Sequence, residues 1–426
     1  MGELVKEWVE ELETMSKIAK SEPQAAYSAF TAGFRHKITY FIRTIPNVAE
    51  IIKPLDDVID NKFIPAITEG HTCSKMERDL FALPVRLGGM GIPIFSELSV
   101  KEYANSRAVT QELRIKIQRQ EKDLVVDRVR EREIENLIRK TRDDYQKEQL
   151  TEIRTKMNKE QLRANDIAQM KGASAWLTAL PLKDEGYQLN KREFFDAVAL
   201  RYRWAIKRLP IMCVCGKNFN PDHANTCLKG GFIHRRHDQL RDLIGELVDE
   251  VAYDVKIEPD LEPLTGETLR STANLDKEAR LDISARGFWQ RGEMAFFDVR
   301  VFNPYAKSHV NQKLETVFKK NETEKKTSYN QRVIDIEHGS FTPVVFSAYG
   351  GCGRETGKFI SELIMKLSQK LDLPNSVVAN YVRTKISFDL IKSQVMCLRG
   401  ARSRKKVNVE VEEIEVVNCV SQMPEG

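Results

Sequence analysis

The chain has 426 residues and is 41% hydrophobic. That is enough for two or three domains of roughly 100–200 residues, each burying its own core, and it excludes a wholly disordered protein. Its 67 basic and 62 acidic side chains leave a formal charge of +5, so any nucleic-acid footprint has to be local. No apolar run of about 18 residues occurs, and Met1-Gly2-Glu3-Leu4-Val5-Lys6 lacks the apolar centre of a signal peptide. The expectation is a soluble intracellular protein without a membrane partner.

Residues 1–93 read as helical, with Ala25–Phe30 leading into His36–Arg43 at three- and four-residue apolar spacing. Pro46 and Pro54 are expected to cut these helices short. The stretch Leu83–Pro93, with two prolines and three glycines, reads as a structured loop. Residues 94–171 are free of Gly and Pro from Ile94 to Lys171 and alternate acids with bases, which predicts a long, solvated helix or helical pair acting as an arm. Residues 172–236 hold linker helices around Trp176, Phe194, Phe195 and Trp204, then a cysteine cluster. Over 237–398 the pattern predicts a helix from Arg241 to Ala252 and strands at Val255–Glu258, Ala279–Ala285 and Glu293–Phe302. A helix at Gln312–Arg332, a strand at Pro343–Ser347 and a helix at Lys358–Leu371 follow. Residues 399–426, a basic run followed by an acidic one, read as a flexible tail. The expected fold is α+β: a helical N-terminal half, a small zinc knuckle, and an α/β core with a mixed sheet.

Three of the seven cysteines fall within fifteen residues, as Cys213-Val214-Cys215 with His223 and Cys227. Four such ligands suit tetrahedral Zn²⁺, and an odd cysteine count argues against a disulfide framework. The single residue between Cys213 and Cys215 makes the knuckle turn tighter than usual, so His234 or His237 is an alternative ligand. Arg235, Arg236 and Arg241 follow at once, either as phosphate contacts or as a solvated helix start.

Asp282 and Asp298 each sit within an apolar, strand-like run, sixteen residues apart. Carboxylates there are costly unless paired or metal-bound; two on adjacent strands suit a hydrolytic Mg²⁺ site, and a salt bridge to Arg280 or Arg300 is the alternative. Glu258 is a further candidate Mg²⁺ ligand. Pro259-Asp260 is set aside, because a turn-rich segment follows it. Gly351–Phe359 fails as a phosphate loop, since Cys352 and Phe359 stand where Gly and Ser/Thr are needed. The isolated His309 and His338 read as locally hydrogen-bonded.

The Asp282 and Asp298-Val299-Arg300 pattern resembles the PD-(D/E)XK restriction-like endonuclease core. Leu281 stands where that family has proline and Arg300 where it has lysine. Arginine stays protonated, so Arg300 suits stabilisation of the phosphate but not proton abstraction. The resemblance then asks for a lysine from the next helix, where Lys325 or Lys326 lies three or four residues from Tyr329 on one face; Lys325 is preferred.

Over residues 20–400 the chain resembles the C-terminal part of a non-long-terminal-repeat retrotransposon polyprotein. His36–Pro46, Phe63-Ile64-Pro65-Ala66 and Leu83–Ile92 are similar to a reverse transcriptase thumb region. Trp176–Trp204, the Cys213–Cys227 knuckle with Arg236-His237-Asp238, and Ala279–Pro304 are similar to the zinc-knuckle and endonuclease module. The resemblance implies a Mg²⁺-dependent DNA endonuclease with DNA and element RNA as partners, acting in the nucleus, and lacking the polymerase aspartates. A fragment of a longer reading frame or a truncated copy is implied, and an inactive, zinc-stabilised nucleic-acid-binding remnant is the alternative.

Overall fold

The computed structural model describes residues 1–125 and 127–402; the expected tail lies outside the described residues from 403 on. It is a mixed α+β structure, mostly helical, with one four-stranded sheet near its C-terminal end. Among the described residues no helix is long and apolar enough to cross a membrane.

In the N-terminal part Tyr27, Phe30, Phe34, Ile38 and Ile42 recur at helical spacing and enter one core with Trp8, Leu12, Ile52 and Phe63. Phe30 stacks on Phe63 with ring centres 4.8 Å apart. The helix Arg35–Thr44 ends just ahead of Pro46, as predicted. Pro54 does not end a helix: Ala49–Val58 runs through it. The ring removes one hydrogen bond inside that helix, while Ile52, Leu55 and Val58 are buried on its inner face and outweigh the loss.

The loop 83–93 is a hub of backbone acceptors. Tyr27 Oη donates to Met90 O at 2.7 Å, Arg35 to Gly91 O at 3.0 Å, Arg78 to Ile92 O at 2.9 Å and Tyr202 Oη to Gly88 O at 3.1 Å. Gly89 is needed for close approach, because a Cβ there would lie 2.0 Å from Leu83 O.

Among the described residues, 94–171 form four helices rather than one or two: Phe95–Val109, Gln111–Gln118, Arg128–Thr155 and Lys159–Gln169. Capping explains the breaks without Gly or Pro. The Asp127 carboxylate accepts from Val129 N and Arg130 N, and Asn158 forms a reciprocal capping box with Gln161. Arg128–Thr155 buries only Leu150 and Ile153 and is otherwise a solvated face, whereas Lys159–Gln169 buries Arg163, Ala164, Asn165, Ile167 and Ala168.

The sheet is built from β1 (Tyr253–Ile257), β2 (Ile283–Arg286), β3 (Met294–Phe302) and β4 (Ser340–Ser347), in that spatial order. β1, β2 and β3 pair antiparallel; β3 and β4 pair parallel, from Ala295↔Ser340 to Phe302↔Ser347. Four helices frame it: α1 (Phe232–Asp249), α2 (Leu314–Asp335), α3 (Arg354–Leu371) and α4 (Asn375–Arg399). α2 is the crossover that a parallel β3–β4 pair requires. Strand alternation separates two apolar layers. Ala295, Phe297, Val299, Val344 and Phe346 pack with α1, α3 and α4, while Phe296 and Phe341 pack with Val333, and Phe302 and Val345 with Val317 and Phe318 of α2. β2 begins one residue after Asp282, so that acid stands at the strand's mouth and not inside it. The sequence pattern missed α4. It is apolar on several sides: Val378, Val382, Ile386 and Leu390 enter the sheet core, Phe388 and Ile391 the N-terminal core.

Gly89→Ala should cost about 2 kcal/mol or more of stability, read as a lowered Tm; an unchanged Tm would show that the loop is not close-packed. On α4, Asp389 Oδ2 has no hydrogen-bond partner among the described residues. Burial, then the Asp242 charge against the opposing Lys392, pushes the Asp389 carboxyl up to about 7. The folded state therefore holds a proton that the unfolded state releases near pH 4, and stability falls as pH rises from about 4 to 7. Asp389→Asn should raise Tm at pH 8 and lose that advantage at pH 4; equal gains at both would contradict the assignment.

Candidate functional site

Continuing the register Ile283↔Phe297 by one step sets Asp282 opposite Asp298. Strand alternation turns Asp298 toward α2, where it is 6% exposed and forms an ion pair of 2.6 Å with Lys325 Nζ. Asp282 Oδ2 accepts from Val299 N at 2.5 Å, and its Oδ1 lies 3.0 Å from His237 Nε2 on α1. Tyr329 follows one turn after Lys325, its ring centre 5.9 Å from Nζ and its hydroxyl accepting from Asn274 Nδ2 at 3.2 Å. Three elements thus meet at two carboxylates.

The electrostatics divide the pair. Burial, then the Asp282 charge, pushes the Asp298 carboxyl up to about 6 against the pull of Lys325. Burial also works to raise Asp282, but the His237 hydrogen bond and charge, with the Val299 N–H, hold it below the ordinary value. His237 is raised in turn, mainly by its hydrogen bond to Asp282.

The other candidates divide. Neither proposed arginine pairs with the acids: Arg300 binds Glu324 at 2.8 Å, and Arg280 binds the exposed Asp260 at 2.7 Å. Glu258 gives its backbone N–H to Asp282 O at 2.9 Å, but its exposed carboxylate goes to Arg241, away from the pair. Arg300, Thr316, Lys319, Lys320, Thr323, Glu324, Lys325, Thr327, Ser328 and Tyr329 line an open groove of about 810 Å³. At the N-terminus of α3, whose preceding turn lacks the phosphate-loop pattern, the Glu322 carboxylate accepts from Glu355 N at 2.9 Å and takes the place an anion would occupy.

Cys213, Cys215, His223 and Cys227 converge, with all four ligand atoms within 4.8 Å of one another. Cys213 Sγ and Cys227 Sγ are 3.7 Å apart, and Cys215 Sγ and His223 Nε2 3.4 Å. A tetrahedral Zn²⁺ with bonds of about 2.3 Å to sulfur and 2.0 Å to nitrogen sets edges of about 3.8 and 3.5 Å, so these residues fit zinc. Gly216, at φ 79°, makes the tight turn possible after the one-residue spacer. Burial, then the Arg402 and Lys217 cations, holds the His223 imidazole below its ordinary value, in the neutral form a metal takes. Neither alternative ligand joins: His237 serves Asp282, and His234 stands outside the cluster.

The knuckle is clamped to the rest of the fold beside its histidine. Arg203 binds Asp222 through two hydrogen bonds of 3.1 and 2.9 Å and reaches Tyr349 Oη at 3.1 Å, and Asn303 Nδ2 donates to Asp222 O at 3.2 Å.

Of the three arginines proposed as phosphate contacts, Arg235 alone is exposed. Arg236 is 2% exposed and donates to Asn225 Oδ1 at 2.9 Å, and Arg241 is held by Asp238, Asp242 and Glu258. Both are corrections. The spacing Phe232, Arg236, Leu240, Ile244 already placed Arg236 in the buried stripe of α1. The same turn of helix carries His237, which the sequence offers individually only as an alternative zinc ligand.

No known protein family matches the chain, and no curated protein matches it in sequence.

Chelation, or Cys227→Ser, should lower the Tm of the whole chain, because the knuckle shares a small core with Leu200 and Leu398. An unchanged Tm with full loss of bound zinc would show that the metal does not hold the fold together.

Proposed function

We propose that this protein is a Mg²⁺-dependent DNA endonuclease of the restriction-like type, from the C-terminal part of a non-long-terminal-repeat retroelement polyprotein, acting on nuclear DNA. The observation that carries the reading is the meeting of Asp282, Asp298 and Lys325 at the edge of a basic groove. Two neighbouring carboxylates, one so disfavoured that its carboxyl rises to about 6, form a donor set that a divalent cation relieves. Asp282 and Asp298 would hold it, and a bound Mg²⁺ would supply an activated water and neutralise phosphate charge.

The chain's own groups do the rest. His237 and the Val299 N–H orient Asp282 from two sides, so its carboxylate cannot swing away. Lys325, pinned by Asp298, presents an ammonium to the scissile phosphate and takes the role that lysine has in the resembled core. Arg300, always charged, stabilises the phosphate as negative charge builds. Its bond to Glu324 keeps the guanidinium at the groove's edge.

The inactive-remnant reading is favoured by one observation, Arg300 in the lysine position. Supercoiled plasmid incubated with Mg²⁺ at low salt separates the two. The wild type should nick, and Asp298→Asn should lose at least about 100-fold in rate while DNA binding and Tm hold, since asparagine removes a costly buried charge. Retained binding with no nicking by either protein would replace the nuclease with the binding remnant.

A further inference from the structure

Where the helical body meets the sheet, a cavity of about 30 Å³ lies between the helix Lys159–Gln169, the helix Lys191–Tyr202 and α4. Tyr305, just beyond β3, completes its wall. Ala164, Ala168 and Ala197 line it from two of the helices and leave the room, since each offers only a methyl group.

Three polar side chains from three separate elements also line this space. Four of their atoms are buried without a hydrogen-bond partner among the described residues: Gln394 Oε1 and Nε2 from α4, Tyr305 Oη, and Arg201 Nε from the helix Lys191–Tyr202. Gln394 is 1% exposed and Tyr305 7%, so bulk water does not reach them. Their neighbours hold them in place. Arg201 donates through Nη2 to Val85 O at 3.2 Å and Gly89 O at 3.3 Å and through Nη1 to Ser174 Oγ, which leaves Nε over. The Tyr305 ring lies under the Arg203 guanidinium at 4.0 Å and edge-on to Tyr349 at 4.9 Å, which fixes where its hydroxyl stands.

An amide with both ends unpaired inside a protein is costly, and so is a buried hydroxyl in the same condition. The size of the cavity says what relieves them. A buried water takes up about 10–15 Å³ on this scale, so about 30 Å³ holds two. Four protein atoms and one bond between the two waters give each water about three hydrogen bonds, the usual number for buried water. The chemistry agrees: Arg201 Nε, Gln394 Nε2 and Tyr305 Oη donate, Gln394 Oε1 accepts, and water does both. An anion would suit the donors but would set Oε1 against negative charge.

We propose that this cavity is a binding site for two ordered water molecules, held by Gln394, Tyr305 and Arg201, which complete the joint between the helical body and the sheet. The site is independent of the reaction assigned to the carboxylates.

The test is magnetic relaxation dispersion of the water oxygen on the full chain, which counts waters held inside a protein for longer than it tumbles. Wild type is compared with Gln394→Met and Tyr305→Phe, both close to the original side chain in volume. Gln394→Met should lower the count by about two. Tyr305→Phe removes one bond and should shorten the residence time several-fold. A crystal structure of the wild type should show two water peaks within hydrogen-bond reach of the Gln394 amide. Equal counts for wild type and a folded Gln394→Met, or a dry cavity in the crystal, would overturn the site. An anomalous bromide peak there, in crystals grown with bromide, would put an anion in place of the waters and overturn it too. If Gln394→Met does not fold, Tyr305→Phe and the crystal structure decide: an unchanged residence time or no water peaks would overturn the proposal.

Discussion

Two carboxylates brought face to face in a place nearly closed to water repel each other, and a fold that keeps them there has to compensate from several sides. Here Asp282 and Asp298 meet across β2 and β3, and each layer of the sandwich contributes one compensating group. His237 comes from the helix on one face, Lys325 from the helix on the other, and the Val299 N–H from the sheet itself. The parallel β3–β4 pairing requires α2 as its crossover, and from that helix Lys325 reaches Asp298. The arrangement leaves Asp298 partly uncompensated, its carboxyl pushed up to about 6 by burial. The pair stands next to a groove lined by four cations.

The cluster of Cys213, Cys215, His223 and Cys227 belongs to the scaffold. Cys213 and Cys227 are buried among Leu200, Phe219 and Leu398, so two of the four ligands face inward, while Cys215 and His223 are half-buried. Arg203 ties Asp222, the neighbour of His223, to Tyr349 just beyond β4. α4 ties the parts together a second time, by sharing its sides between the N-terminal core and the sheet core. The helical body and the sheet are thus joined by the Cys/His cluster and its Arg203 clamp at one point and a shared helix at another.

Much of this was legible in the residues, for physical reasons. Four metal-type ligands within fifteen residues have few other uses, and apolar strands with a lone acid leave few explanations. Lys325 was reachable because helical spacing put it beside Tyr329. What stayed hidden depended on tertiary partners. Arg236 looked like a phosphate contact until its stripe turned inward, and Glu258 looked like a ligand until Arg241 took its carboxylate. Pro54 failed as a terminator because the loss of one bond inside the helix is outweighed by the burial of Ile52, Leu55 and Val58. α4 escaped because a helix buried on several sides has no single apolar face to betray it.

The central claim is that Asp282 and Asp298 form one divalent-metal site. Electron paramagnetic resonance of Mn²⁺ titrated into zinc-loaded protein tests it without needing turnover. The account predicts one Mn²⁺ bound per wild-type chain, lost in Asp282→Asn with the zinc content intact. Equal Mn²⁺ binding by the two proteins, or none by the wild type, would contradict it.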